Sequence, residues 1–140
     1  MADDISASMT AEDERRIAAL LVRYATAIDR RDWKLLRSCF TDDFKGDYGD
    51  FGRWASGDEI VAGMVELHKP FGPSLHRLSN IAIEPAPDGA RARTYVDVVL
   101  IPLDPGDPVR QALGYYDDDL VATADGWKIR TRRFTLVRLL

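Results

Sequence analysis

The sequence predicts an α+β domain in which three N-terminal helices pack on a strongly curved, mostly antiparallel sheet. Apolar residues recur at helical spacing as far as Leu67. From Ser74 onward the pattern changes to four runs rich in β-branched and aromatic residues, divided by turn residues. Helices first and strands afterwards favour a segregated α+β arrangement over alternating βαβ units.

Residues 1–9 read as a flexible tail and residues 10–140 as one domain. Thr10 followed by Asp13 resembles a capping box, and Ile17, Leu20, Leu21, Tyr24 and Ile28 then mark one face of a helix over about Ala11 to Asp29. Asp32 can cap a second, short helix carrying Trp33, Leu35, Leu36 and Phe40. A short strand fits Phe44 to Tyr48. Ser56 with Glu59 is a second capping box, opening a helix through Ile60, Val61, Met64 and Leu67 that Pro70, Gly72 and Pro73 end. The strand runs are Leu75–Ile83, Ala90–Ile101, Val109–Ala122 and Trp127–Leu139. They are longer than the usual strand of about five or six residues, and long antiparallel strands coil. Helices closing a coiled sheet make a cone with an interior.

Composition excludes several classes. The chain has 140 residues, 46% hydrophobic and 30% charged, with net charge −4, which disfavours a nucleic-acid partner. Arg130, Arg132, Arg133 and Arg138 cluster near the C-terminus and read as a solvated strand face offset by acidic neighbours. The single cysteine, Cys39, forbids an intrachain disulfide, suits a reducing compartment and reads as a packed thiol. No signal-peptide pattern or membrane-length apolar run is present, so a soluble, cytoplasmic protein is expected, with neither nucleic acid nor membrane as partner. Nucleotide-binding, serine-hydrolase and Cys-x-x-Cys motifs are absent. Alternation splits Asp117, Asp118 and Asp119 between the two faces of a strand, so no metal site is expected there.

Two histidines remain. His68 ends the third helix, where a cation suits the dipole, and reads as structural. His76 opens the first long strand and alternates with Leu78 and Asn80 on one face, a polar pair among apolar neighbours as in a lined pocket. Asp29, at the end of the first helix, lies roughly 100° from the centre of the apolar stripe, where it can reach a pocket edge.

Arg23-Tyr24-Ala25-Thr26-Ala27-Ile28-Asp29-Arg30-Arg31-Asp32-Trp33, with Phe40-Thr41-Asp42-Asp43-Phe44, resembles the opening of SnoaL-like proteins of the nuclear-transport-factor-2-like superfamily. Leu75-His76-Arg77-Leu78-Ser79-Asn80 resembles their first long strand, and Asp125-Gly126-Trp127-Lys128-Ile129 their last hairpin. The similarity runs over about residues 13 to 138 and is greatest to the scytalone dehydratase and γ-hexachlorocyclohexane dehydrochlorinase branch. It implies the cone fold of that superfamily, an Asp29–His76 pair and Tyr48 as catalytic groups, and no cofactor. Ile28 stands where the dehydratase has a tyrosine, and its second active-site histidine has no match here.

The expected function is therefore a lyase, dehydratase-like, acting by His–Asp acid-base catalysis on a small hydroxylated aromatic or cyclic substrate. Tyr24, Phe51, Trp54, Met64, Asn80 and Tyr115 are expected to bind it. The alternatives are a C–C lyase releasing a small aldehyde, a ketosteroid-isomerase-like isomerase using Asp29 alone, and a non-catalytic ligand-binding or partner-docking module. Val98, Leu100, Leu113, Val121, Leu136 and Val137 would expose apolar area on a solitary chain. A homo-oligomer is expected, and the resemblance favours a trimer over a dimer.

Overall fold

A computed structural model describes residues 9–140. The tail expected over residues 1–9 lies outside them except for Met9, which is partly buried against the core. Helix α1 spans Ala11–Asp29, its N-terminus closed by a capping box in which Thr10 and Asp13 bond each other's backbone. Its stripe of Ile17, Leu20, Leu21, Tyr24 and Ile28 is at most 1% exposed. Burying each of these large side chains contributes about 1.5–3 kcal/mol. After α1 the chain turns through Arg31, whose φ of 56° is the left-handed conformation that terminates helices.

Helix α2 (Trp33–Arg37) is capped by the Asp32 carboxylate, which accepts from the Leu35 N–H. Strand β1 (Phe40–Asp47) begins earlier than the sequence predicts. Phe40, expected on the second helix, is instead a fully buried strand residue packed on Phe44. A short 3-10 turn (Gly49–Phe51) and β2 (Arg53–Trp54) lead into α3 (Gly57–His68), capped by Ser56.

The four long strands follow as β3 (Phe71–Ala86), β4 (Gly89–Pro102), β5 (Arg110–Thr123) and β6 (Gly126–Leu139). The sheet order is β2-β1-β6-β5-β4-β3, and every pairing is antiparallel except β1 with β6. The sheet is curved and does not close, so it wraps the helices as the expected cone. β3 runs past Ile83, where the expected strand run ends, and through Pro85; β3 is an edge strand, where a missing N–H can face away from the ladder.

Inward-facing positions on β4 and β5 alternate with outward ones and join the same buried core as residues of α1 and α3. Two expectations about the outer face fail on this alternation. Val98, at 8% exposure, and Leu100 turn inward, so neither adds to an exposed apolar surface. Arg132 is not on a solvated face: its side chain is 1% exposed and makes a two-pronged bond, at 2.7 and 2.9 Å, to the equally buried Asp118. Asp117 and Asp119 do point outward, where they pair with Arg93 and Arg91. No helix of the described residues is long and apolar enough to cross a membrane.

Candidate active site

The end of α1 is tied to the start of β3 by Arg31. Its guanidinium donates to the Ile28 carbonyl at 2.7 Å, to the Ser74 hydroxyl at 2.8 Å and to the Gly72 carbonyl. This clamp brings the Asp29 carboxylate against β3. There it accepts from the Ser74 hydroxyl (2.9 Å), the His76 backbone N–H (2.9 Å) and His76 Nδ1 (2.7 Å). Burial works to raise the Asp29 carboxyl. The bonds from His76 and Ser74 outweigh it and hold the group below its ordinary value. An ionised carboxylate only accepts, so Nδ1 carries the proton, and in the neutral form of the ring the lone pair is on Nε2. Nε2 has no protein partner among the described residues, and the His76 ring lines a cavity of about 330 Å³.

His68 lines the same cavity, its ring centroid 5.7 Å from that of His76. Its Nδ1 donates to the Met64 carbonyl at 2.8 Å. Burial pushes the imidazole down to about 4, the backbone bond opposing only in part, so the ring is neutral at ordinary pH. The sequence reads His68 as structural from its place at the helix end; at 7% exposure, burial works against the cation that end would suit. His68 follows Met64 by four residues and so shares its helix face, which was the available sequence signal.

Opposite the histidines, the Tyr24 and Tyr48 hydroxyls lie 2.8 Å apart. Either hydroxyl can be the donor in this bond. Burial keeps both phenols well above their usual value, so both are protonated. Behind them the Arg132 guanidinium stacks 4.2 Å over the Tyr24 ring and 3.8 Å over the Tyr116 ring. Its charge makes the phenols stronger donors than burial alone would leave them.

Of the residues expected at the site, Asp29 and His76 are joined, and Tyr24, Tyr48, Phe51 and Met64 line the cavity. Trp54 does not line it but stands edge-on behind Tyr48, centroids 5.2 Å apart. Asn80 does not share the His76 face: β3 breaks register between Ser79 and Ala82, Asn80 adopts φ 49°, and its side chain is exposed. Tyr115 lies on the outer face against Tyr95 and Arg93, and its neighbour Tyr116 takes the inward position. His68, Tyr116 and Phe134 are lining residues the sequence reading did not place there. Cys39 is fully buried, its thiol pushed up to about 11 by burial.

A second, wider hollow of about 880 Å³ lies at the other end of the sheet, lined by groups such as Arg91, Arg93, Asp117 and Asp119. Those charges neutralise one another in pairs, and no histidine faces it. Among the described residues no three His, Cys, Asp or Glu side chains gather as metal ligands.

Comparison with known proteins places these features in context. The family profile described as SnoaL-like domain matches residues 9–133. An uncharacterized protein of Mycobacterium tuberculosis is 32% identical over 124 residues, covering 86% of this chain and 82% of its own length. A candidate scytalone dehydratase from Novosphingobium aromaticivorans superposes with a TM-score of 0.85 at 20% identity, over 92% of this chain and 87% of its own. The hexachlorocyclohexane dehydrochlorinase LinA, type 2, superposes with a TM-score of 0.83 at 14% identity, over 92% and 88%. At these identities the two structures establish the shared fold.

Proposed function

The chain belongs to the SnoaL-like domain family, and on that premise we propose that it is a cofactor-independent lyase that eliminates water, or another small leaving group, from a hydroxylated cyclic or aromatic substrate. The observation that carries this reading is the 2.7 Å bond between Asp29 and His76 Nδ1, made by a ring that lines an otherwise largely apolar cavity. In this reading His76 Nε2 takes a proton from a substrate carbon, and the electron pair of that C–H bond becomes the new double bond as the C–O bond on the adjacent carbon breaks. Asp29 stabilises the positive charge the ring gains and keeps its tautomer fixed. The proton then leaves with the departing hydroxyl as water. Tyr48, held by Tyr24, donates to the substrate oxygen that gains charge in the transition state. His68 offers a second neutral acceptor beside the first, suited to a substrate with a hydroxyl of its own.

The cavity volume suits one or two fused rings. The test is a screen of hydroxylated cyclic and aromatic compounds read by mass. Loss of one water supports the elimination, unchanged mass means isomerisation, and release of an aldehyde means C–C cleavage. Turnover that survives in both His76→Ala and Asp29→Asn removes the proposed pair altogether.

A further inference from the structure

Arg110 lines the same cavity and takes no part in the chemistry above. It opens β5, where strand alternation puts it on the face of Ala112 and Tyr116, both cavity-lining, while Gln111 and Tyr115 fall on the opposite face. Its side chain is exposed, which sets it at the mouth. Among the described residues its guanidinium has neither a hydrogen bond nor an ion pair, whereas Arg37, Arg77, Arg93 and Arg132 each hold a carboxylate. Among the described residues it is the one lysine or arginine in the cavity lining.

Its position follows from the register. Ser74 pairs with Leu100 and Leu100 with Arg110, one row along from the row of His76, Val98 and Ala112. Two strand spacings and one two-residue step put the Arg110 Cα about 12 Å from that of His76. An arginine side chain extended from there leaves room for about one aromatic ring between its guanidinium and the imidazole. The inner end carries the Asp29 carboxylate, which repels a second anion, so an anionic group is favoured only at the outer end. A guanidinium matches a carboxylate in shape and charge, and at the exposed mouth the pair avoids the cost of full desolvation.

We propose that Arg110 is a specificity-determining residue that grips a carboxylate at the cavity mouth, so that the substrate is a small ring acid with its reacting carbon at His76. The assignment of the inner end as the reacting end rests on the lyase reading; the carboxylate preference at the mouth does not.

The test uses 4-hydroxybenzoate and its neutral counterpart 4-hydroxybenzamide, titrated into the full chain and followed by NMR at the His76 and Ala112 resonances. The acid is expected to bind about fivefold more tightly than the amide in low salt, the size of a partly exposed ion pair, and the gap to shrink as salt rises. Arg110→Gln, an exposed change that leaves the core intact, should erase the preference, and Arg110→Lys should retain part of it. His76→Ala should keep it, so that failure of the catalytic reading is separable from failure of this one. Equal affinity for acid and amide, no binding of the acid, or a preference that persists in Arg110→Gln overturns the proposal.

Discussion

Asp29 accepts two hydrogen bonds from one residue, His76: from its backbone N–H at 2.9 Å and from its ring Nδ1 at 2.7 Å. The backbone bond anchors the carboxylate to β3 whatever the ring does, so the ring is steered by a group that cannot drift away. Asp29→Asn should therefore fold, keep its place and lose the steering, because an amide can donate as well as accept. Nitrogen NMR should show the His76 ring protonated on Nδ1 in the parent chain and shifting towards Nε2 in the variant. Once a substrate is in hand, turnover should fall by about 10³–10⁴-fold, the usual cost of a wrongly set tautomer. An unchanged ring spectrum would contradict the steering role.

His68 and Asp29, both beside His76, respond to acid in separate windows. Burial holds His68 down at about 4, below the 6.5 of a free imidazole, so as pH falls the unfolded chain takes the proton first. The stability His68 allows is complete above about 6.5 and is lost as pH falls towards 4, by about 3 kcal/mol at most at 1.36 kcal/mol per unit. Asp29 is held below 3.8, so its contribution is complete above that value and is lost only as pH drops further, through its folded pKa. Urea midpoints measured from pH 7 to pH 4 should decline in the parent and stay flatter in His68→Phe. A decline of equal slope in both would show that His68 does not set it.

Arg132 and Asp118 form a pair whose two halves are not separable. Burial holds the Asp118 carboxyl above its ordinary value, and the charge of the guanidinium against it works the other way. Removing one partner strands a charge in the core and should cost about 3–5 kcal/mol in Asp118→Leu or Arg132→Met alone. Replacing both, as Asp118→Leu with Arg132→Met, should recover most of that loss. Chemical denaturation of the four chains closes the cycle, and additive losses in the double variant would refute the coupling.

Local patterns were legible in the sequence, and long-range ones were not. The capping box at Thr10, the apolar stripe of α1 and the four strand runs are each written within a few residues, and they reappear with small shifts at their ends. Phe40 moved from helix to strand because its strand partner, Ile129 on β6, lies beyond any local window. The same holds for Arg132: one arginine among four becomes a core residue only because Asp118 stands beside it across β5 and β6. Asn80 was misplaced by counting alternation through a register break that no glycine or proline announced. Asp29 and His76 were found as a pair by family resemblance, whereas the clamp that joins them, Arg31 on Ser74 and Gly72, becomes visible only in the fold.

Gly63 offers a last test, in which two known magnitudes oppose each other. It lies within α3, where glycine is about 1 kcal/mol worse than alanine, so helix propensity alone predicts that Gly63→Ala stabilises. A Cβ built at this position would meet the Trp54 ring at 2.4 Å, far inside contact distance. Forcing that ring aside belongs to overpacking, which costs about 1–3 kcal/mol. Trp54 cannot move freely either, since it packs edge-on against Tyr48, whose hydroxyl is bonded to Tyr24. The overpacking should therefore win: Gly63→Ala should lose about 1 kcal/mol in urea denaturation, and weaken ligand binding through a displaced Tyr48. Trimming the obstacle in Gly63→Ala with Trp54→Leu should reverse the sign of the alanine effect relative to Trp54→Leu alone, leaving the helix gain exposed. If alanine stabilises the parent chain as well, the close approach of α3 to Trp54 does not hold Tyr48 in place.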